Sequence, residues 1–371
     1  MRVARRVPRS CMACGETAGV GGAAGTVCET ADLGCPTTAS EMSNATRRSE
    51  KLVIAPDCSA GPVYNPCMRP LFEWKLRSRS LKLGERTLVM GVVNVTPDSF
   101  SDGGQFFDAH RAIAHAIKLL SDGADIIDVG GESTRPGEKD FVSADEEKRR
   151  VLPVIEGILR EAPDALISID TYKADAATAA LAAGAEIVND VSGFTWDKNM
   201  LPILASNPCG CVLMHTRGRP QEWRSQPALD PAKVVTLVLE ELRSLSDRAV
   251  LAGVQRERIV LDPGFGFGKR GDENFSLLAG LAELHQLGFP LLSGTSRKSF
   301  ITRTAMVSAG DSGSARLAGT MATVTASILQ GAHLVRVHDV RETIEAARVA
   351  DSIVAFADVK RCPADGITIK L

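Results

Sequence analysis

Short aliphatic runs alternate with longer amphipathic segments from about Leu71 to the end of the chain. Eight of these runs have the length and the β-branched content of buried strands. They are TLVMGVVN (87–94), DIIDVG (125–130), ALISID (165–170), EIVND (186–190), CVLMH (211–215), RIVLD (258–262), PLLSG (290–294) and HLVRVH (333–338). The segments between them have one apolar face, and several end in glycine, as helices commonly do. The pattern predicts an α/β fold, a single (β/α)8 TIM barrel, in preference to a doubly wound open sheet.

Residues 1–67 do not share this pattern. They show no sustained apolar period of 2 or 3.6 and are rich in Gly, Ala, Ser and Thr, with GVGGAAGT near the centre. Such a segment buries too little apolar surface to offset the entropy lost on ordering. We therefore expect residues 1–67 to be a disordered or non-native N-terminal extension, and residues 68–371 to form the barrel.

Cysteines are concentrated in the same extension. Six of the nine cysteines precede residue 68. CMAC (11–14) is a C-x2-C pair, but no second pair with zinc-ribbon spacing follows, so incidental cysteines are favoured over a zinc site. The few cysteines of the barrel are typical of a reducing compartment, and we expect a cytoplasmic protein without disulfides.

Composition and charge narrow the function classes. Of 371 residues, 44% are hydrophobic and 24% charged, as in an ordinary soluble globular protein. The formal net charge of −2 and the aromatic content of 5% disfavour a nucleic-acid partner. No apolar run reaches the 18 or more residues that a bilayer span requires, so no membrane partner is expected. Any basic site must be local.

Polar residues follow every predicted strand. In a TIM barrel the chemistry collects where the strands end at their carboxyl termini. The strand-end residues are Asn94, the segment GGESTRPG (130–137), Asp170, Asn189 with Asp190, Met214 with His215, Asp262, the segment SGTSRKS (293–299), and Arg336 with His338. Polar groups at all eight strand ends predict a functional site on one rim.

These polar groups fall into two chemical sets. Asp170, Asn189, Asp262 and Lys298 would suit a flat heterocycle with amino, imino and carbonyl edges, because a carboxylate accepts two adjacent N–H groups. The alternative interpretation of these four residues is an internal salt-bridge network in which Lys298 pairs with one or both aspartates. The second set suits an anionic ligand and comprises Arg135, Arg297, Arg336 and His338, with Asn94 able to offer an oxygen to Mg2+. For the arginines the alternative is surface ion pairing, and for His338 it is a hydrogen-bonded core histidine.

The glycine-rich segment PGFGFGKR (263–270) predicts close approach of backbone to a ligand. Pro263 stands where a P-loop needs its first glycine, so a nucleotide loop is excluded. Glycines permit a tight approach of the main chain. Phe265 and Phe267 would offer apolar faces beside it.

Seven motifs together resemble the dihydropteroate synthases, pterin-binding TIM barrels of folate biosynthesis. They are MGVVNVTPDSFSDGG (90–104), DVGGESTRPG (128–137), ISIDT (167–171), IVNDVSG (187–193), LDPGFGFGK (261–269), SRKSF (296–300) and VRVHDV (335–340). They occur in the family's order and cover about three quarters of the chain. The resemblance implies a transferase that condenses 6-hydroxymethyl-7,8-dihydropterin diphosphate with p-aminobenzoate, giving 7,8-dihydropteroate and diphosphate.

The resemblance also implies a role for each matching residue. Asp170, Asn189, Asp262 and Lys298 would bind the pterin, with Met214 packing on its ring. Arg135, Arg336 and His338 would contact the diphosphate, and Asn94 would bind Mg2+, the only cofactor expected. The residues of the p-aminobenzoate pocket would be Phe100, Thr134, Pro136, Phe267 and Ser299, the last at a helix start that favours the carboxylate. Asp170, with loop residue Asp102, would stabilise a pterin cation while Arg135 and Lys298 assist catalysis.

The family further implies a homodimer that packs through its last helices. Two alternatives stay open: a methyltetrahydrofolate-binding methyltransferase domain, and a noncatalytic pterin-binding paralogue. The former has no use for a diphosphate cluster or closing loops, so ESTRPG and SRKS favour the synthase. The role of Arg297 is left open by the sequence.

Overall fold

The computed structural model describes residues 69–96, 104–133, 142–304 and 312–361. All of them belong to the predicted barrel. The extension, 1–67, lies outside the described residues, so its disorder and the domain boundary after residue 67 stay predictions.

Eight parallel strands of this part of the chain form one sheet, and two further strands form a hairpin before it. The strands are β1 (Phe72–Lys75), β2 (Ser80–Leu83), β3 (Leu88–Asn94), β4 (Ile126–Gly130), β5 (Ile167–Asp170), β6 (Ile187–Asp190), β7 (Gly210–Met214), β8 (Ile259–Asp262), β9 (Leu292–Ser293) and β10 (Leu334–Val337). The sheet order is β8-β7-β6-β5-β4-β3-β10-β9. A parallel bridge between Leu261 and Leu291 joins the two ends, which closes the sheet into a barrel. The predicted TIM barrel is confirmed, with each of its eight strands within two residues of the expected ends.

Helices connect consecutive barrel strands, as parallel pairing requires. Within the described ranges they are α1 (Gly104–Ser121), α2 (Ala144–Glu161), α3 (Ala174–Ala182), α4 (Met200–Ser206), α5 (Val234–Leu251), α6 (Gly271–Ala279), α7 (Ser299–Thr304), α8 (Ser312–Leu329) and α9 (Val340–Arg361). Helix α2 shows how the sequence sets a boundary. Its N-cap Ser143 accepts a hydrogen bond from the Glu146 N–H, and three acidic residues occupy the first turn, where the helix dipole favours negative charge.

Residues along each strand alternate between two cores, since strand side chains have a period of two. Ile127, Val129 and their equivalents pack outward against the helices. Ile126, Ile187, Val212, Val260 and Leu334 pack inside the barrel, near the strand starts. The interior is therefore apolar at the N-terminal end, and the polar residues described below occupy the other end.

The hairpin of β1 and β2 covers the N-terminal end of the barrel. Trp74 of β1 is fully buried and belongs to the same interior cluster as the first residues of the barrel strands. Its indole Nε1 donates to the carbonyl of Arg258 at 2.8 Å. A side chain at Gly210 would collide with Trp74 and Leu76, so the hairpin sits directly under β7. The hairpin was not among the elements expected from sequence.

We predict that Trp74→Ala destabilises the fold without altering the chemistry at the opposite end. Truncating a buried tryptophan removes its apolar contacts and leaves a cavity, at a cost of about 3–5 kcal/mol. Denaturant unfolding measures this loss, with Trp74→Phe as the milder control. An activity loss in folded Trp74→Ala at low temperature would contradict the separation of the two ends.

Candidate active site

Polar side chains project inward where the barrel strands end. Asp128 on β4, Asp170 on β5, Asn189 on β6, Asp262 on β8 and Arg336 on β10 all share the interior parity of their strands. Asp128, Asn189 and Asp262 are buried, while the Asp170 and Arg336 side chains keep 16% and 21% of their surface exposed. This arrangement forms a partly open polar cup at one end of the barrel.

Arg336 holds the cup together across the barrel. Its Nε donates to Asp128 Oδ2 and its Nη2 donates to Asp170 Oδ2, both at 2.6 Å. Asn189 Nδ2 donates to the same Asp128 oxygen at 3.0 Å. One guanidinium thus joins two carboxylates on neighbouring strands, and charge-assisted bonds of this length are the strong ones. The alternative considered from sequence was a salt-bridge network with Lys298 as the cation; the salt bridges that the structure describes at Asp128 and Asp170 are made by Arg336 instead.

Sequence reasoning missed Asp128. It lies two residues inside its strand, where the strand-end criterion does not reach, yet it is fully buried and accepts two of the bonds above. Its other oxygen, Oδ1, has no hydrogen-bond partner among the described residues. A single acid within an otherwise aliphatic strand was the available signal, because a buried carboxylate requires a partner.

Burial shifts the acids of the cup toward their protonated forms. Burial, together with the negative charge of Asp128, raises the pKa of Asp170 to about 7 against the opposing charge of Arg336. Burial raises the pKa of Asp262 to about 6, opposed by the Gly264 N–H and by the charge of Lys298. Desolvation penalises the charged form, and a ligand that donates N–H groups would favour it again. The free site is thus prepared for a donor-rich ligand edge.

The segment after β8 is held by its own lysine. Lys269 is buried, and its ammonium donates to the carbonyl of Gly264 at 2.9 Å and approaches that of Phe267 at 3.4 Å. Gly264 has a φ of +66°, and a Cβ there would lie 1.9 Å from the His215 carbonyl oxygen. The predicted close approach is therefore made to neighbouring backbone of the protein.

The two phenylalanines of this segment have different surroundings. Phe265 is 1% exposed and packs in the outer core, so the expectation that it offers a face to a ligand is wrong. Phe267 is partly exposed, stacks edge-on against Trp223 at 5.0 Å, and has Lys298 Nζ 4.2 Å from its ring centroid. Phe267 and Lys298 thus form one wall of the cup, from β8 and from the turn before α7.

The remaining described candidates lie around the same rim. Asn94 ends β3 beside Gly130, and Met214 ends β7 beside Asp262. Ser299 is exposed at the first residue of α7. His338 Nδ1 lies 3.1 Å from Ser296 Oγ, and burial with the charges of Arg336 and Arg297 lowers the pKa of His338 to about 3. The structure therefore brings every described candidate to one end of the barrel.

Two strand-end residues do not face the cup. Asp190 alternates with Asn189, so it points outward, and its Oδ1 accepts the Ser192 N–H at 2.6 Å. His215 follows Met214 and contacts Glu241 of the outer helix α5 at 2.7 Å. The sequence identified the strand ends correctly but included one residue too many on each of these strands.

Five of the predicted site residues lie outside the described residues: Phe100, Asp102, Thr134, Arg135 and Pro136. Their roles stay predictions. The described residue Glu132, just before the second of these segments, is paired with Lys173 and accepts the Tyr172 hydroxyl at 3.2 Å. Glu132 is thereby attached to the residues that follow β5.

Other chemistries find little support in the part of the chain that the structure describes. No group of three or more His, Cys, Asp or Glu side chains there could hold a metal ion. Cys209 and Cys211 are buried free thiols at the start of β7, at the end opposite the cup, and burial raises the pKa of Cys209 to about 11. No helix in the described ranges is long and apolar enough to cross a membrane.

Comparison with known proteins gives consistent matches. A family model described as pterin binding enzyme matches residues 90–338. Dihydropteroate synthase from Clostridium beijerinckii is 43% identical over 281 residues, which are 76% of this chain and 99% of the relative. A solved dihydropteroate synthase from Xanthomonas albilineans with 4-aminobenzoic acid is 40% identical, with a TM-score of 0.70, covering 77% of this chain and 99% of that one. A Clostridium difficile dihydropteroate synthase solved in the presence of pteroic acid is 45% identical, with a TM-score of 0.66, covering 73% and 98%.

The fold, the polar cup and the matched region define a pterin-binding enzyme. At this identity and coverage, the chain belongs to the dihydropteroate synthase family, whose members are transferases of folate biosynthesis.

We predict that Asp128→Asn lowers the pKa of Asp170 below its value of about 7. The substitution removes a negative charge beside Asp170 and leaves the Arg336 guanidinium with one carboxylate, and both changes favour the ionised form. The pH dependence of pterin binding, measured by calorimetry, would shift toward lower pH. Asp190→Asn is the matched control: Asp190 is equally buried but faces outward, and its charge raises the pKa of Asp170 less than the charge of Asp128 does, so its shift should be smaller. An equal shift in the two variants would contradict the assignment.

Proposed function

We propose that the polar cup is where the chain condenses 6-hydroxymethyl-7,8-dihydropterin diphosphate with p-aminobenzoate to form 7,8-dihydropteroate. The observation that carries the proposal is the convergence of Asp128, Asp170, Asn189 and Asp262 on one interior rim. Membership of the synthase family supplies the reaction, and a solved relative with 4-aminobenzoic acid supports the second substrate.

The pterin would lie deepest in the cup. Its amino and ring N–H groups match the buried carboxylates, and Asp128 Oδ1 offers one more acceptor. Met214 from β7 would pack on the ring, and Asn189 and Lys298 would complete the polar edge. Binding of these donors would restore the ionised forms of Asp170 and Asp262, whose pKa values burial raises to about 7 and 6.

The diphosphate would lie toward β10 and β3. His338 and Arg336 would contact it, with Arg135 from outside the described residues. Burial and the charges of Arg336 and Arg297 lower the pKa of His338, and an incoming anion would raise it again by favouring the protonated form. The Arg336 guanidinium is already oriented by its two carboxylates.

A magnesium ion is part of this proposal. Asn94 supplies one oxygen donor at the rim, and the described residues hold no larger ligand group. That donor set fits Mg2+, which commonly binds through one or two protein oxygens together with substrate phosphates and waters. When bound, the ion would contribute positive charge to the departing diphosphate.

p-Aminobenzoate would occupy the outer part of the cup. Phe267 is partly exposed beside Lys298 and would contact the ring. Ser299 would hold the carboxylate. Phe100, Thr134 and Pro136 would complete the pocket.

The chain's residues would act mainly by charge placement. As the CH2–O bond of the pterin breaks, positive charge spreads into the dihydropterin ring, and Asp170 with Asp102 would stabilise it. Arg336, His338 and Arg135 would stabilise the departing diphosphate. The neutral amino group of p-aminobenzoate then attacks the CH2 carbon and, as the C–N bond forms, gives up one proton to the departing diphosphate, so no nucleophile from the protein is required. Closure around both substrates would exclude the competing water.

The assay follows diphosphate release from dihydropterin diphosphate and Mg2+, with and without p-aminobenzoate, for the full chain and for a protein that begins at Met68. We expect release that requires p-aminobenzoate, formation of dihydropteroate, and equal rates for both proteins. Pterin binding without release under either condition would favour a noncatalytic paralogue.

We predict that Asp170→Asn lowers turnover far more than it weakens diphosphate binding. The negative charge of Asp170 contributes most as the pterin cation develops, and a single stabilising group of this kind is typically worth on the order of 100-fold in kcat. Steady-state kinetics and diphosphate inhibition measure the two effects, and Asp190→Asn provides the outward-facing control. Equal losses in both constants would remove Asp170 from this role.

We also propose a cytoplasmic homodimer. The free thiols Cys209 and Cys211 fit a reducing compartment. Helix α9 exposes Val349, Ile353 and Phe356 by 64%, 49% and 57%, at spacings that place them on one face. An apolar stripe of this kind is typical of an interface between subunits.

We predict that Ile353→Glu converts the dimer into a monomer, because a charge would be buried in the apolar contact. Light scattering during size-exclusion chromatography measures the mass. Leu251→Glu is the control, since Leu251 is 88% exposed on a different helix, α5. A wild-type protein that is monomeric at micromolar concentration would exclude this dimer.

A further inference from the structure

Arg297 has an unusual backbone conformation within the turn that follows β9. Its φ of +58° lies in the left-handed region, which non-glycine residues seldom adopt unless the surroundings hold them there. Its backbone N–H donates to Thr320 Oγ1 of α8 at 3.2 Å, and Thr320 is fully buried. The turn is therefore held by a hydrogen bond to the buried face of α8.

The Arg297 side chain binds the next strand's turn. Its Nε and Nη2 donate to the two carboxylate oxygens of Asp339 at 3.1 and 2.5 Å. The main-chain carbonyl of Asp339 accepts from both the N–H and the hydroxyl of Thr343, at 3.1 and 2.7 Å. Asp339 is thus fixed against the first turn of α9, so the paired guanidinium is fixed too.

A second contact joins the same two turns in the interior. Ser296, the residue before Arg297, lies 3.1 Å from His338 Nδ1 and accepts the His338 N–H at 3.3 Å. Consecutive residues of one turn therefore bind consecutive residues of the other. Both turns adjoin candidate site residues. The turn after β9 leads into Lys298 and Ser299, and the turn after β10 comes just after Arg336.

We propose that the Arg297–Asp339 pair is a positioning device for the reaction, which sets the distance between the p-aminobenzoate side and the diphosphate side of the site. This inference rests on the proposed function. Neither residue needs to touch a substrate. The pair fixes Lys298 and Ser299 relative to His338, and two reactants must be held in close geometry for an effectively unimolecular step.

The exposure of the Arg297 and Asp339 side chains argues that the pair contributes little to the stability of the fold. The Arg297 and Asp339 side chains are 48% and 20% exposed, and surface ion pairs contribute little to stability. A second two-bonded pair, Arg86–Asp125, has nearly the same exposures, 57% and 19%, and lies at the opposite end of the barrel. It provides a matched control that has no connection with the site.

The experiment compares the full-length wild type with Arg297→Gly, Asp339→Asn, the double variant and Arg86→Gly. Glycine is chosen because it accepts the positive φ without strain. We expect kcat/KM for p-aminobenzoate to fall about 10-fold in each site variant. This loss is smaller than the roughly 100-fold loss that a displacement of about 1 Å can produce. The double variant should lose no more than the singles, since both break one interaction. Thermal midpoints should change no more than in Arg86→Gly.

Two further measurements keep the outcome decisive. Arg297→Lys keeps the charge but not the planar fork, so it should remain impaired; full recovery would show that rim charge alone matters and would overturn the proposal. Calorimetry with Mg2+ and inorganic diphosphate should show weaker diphosphate binding in the site variants and unchanged diphosphate binding in Arg86→Gly. This measurement does not require turnover, so it tests the positioning role even if the wild type is inactive and the proposed function fails. Site variants that lose stability but keep wild-type kcat/KM and diphosphate affinity would also overturn it.

Discussion

The site depends on one partly buried cation shared by two acids. Arg336 reaches across the interior from β10 to Asp128 on β4 and Asp170 on β5, with both bonds at 2.6 Å. Removing Arg336 would leave two carboxylates without their cation, which is strongly destabilising, whereas removing one acid leaves a single ion pair. The same three groups therefore determine where the carboxylates point, how readily they ionise, and how much positive charge remains near the place proposed for the diphosphate. The charge balance of the cup is set before a substrate arrives.

The barrel was predictable from sequence because its signal is repeated. Eight aliphatic runs separated by amphipathic segments leave few architectures that bury both faces of every strand. The β1–β2 hairpin was not predictable in this way, since each of its four-residue strands buries only one residue, Trp74 or Leu83. Its role depends on a contact between Trp74 and Arg258, 184 positions apart. Local patterning holds no information about such a contact.

The candidate site was predictable to the level of strand ends, and less so beyond them. Asp170, Asn189 and Asp262 are the inward-facing last or near-last residues of their strands, as expected. Asp128 was missed because its importance comes from Arg336, 208 positions away in the chain. Asp190 and His215 were included because a strand end is located from sequence only to about one residue, and one residue reverses the face. The family resemblance assigned roles to Asn189 and Met214 and none to Asp190 or His215, but it did not identify Asp128.

The closed N-terminal end has a consequence for how the protein can be modified. Trp74 and the hairpin seal the face remote from the substrates, and Arg69 is attached there through Asp351, Thr87 and the Ala332 carbonyl. An affinity tag or fluorescent reporter joined ahead of Arg69 would leave the barrel on that remote side, so it should not obstruct substrate entry. Deleting the hairpin itself would uncover the apolar lower half of the interior. A minimal version of this barrel should therefore begin no later than Arg69.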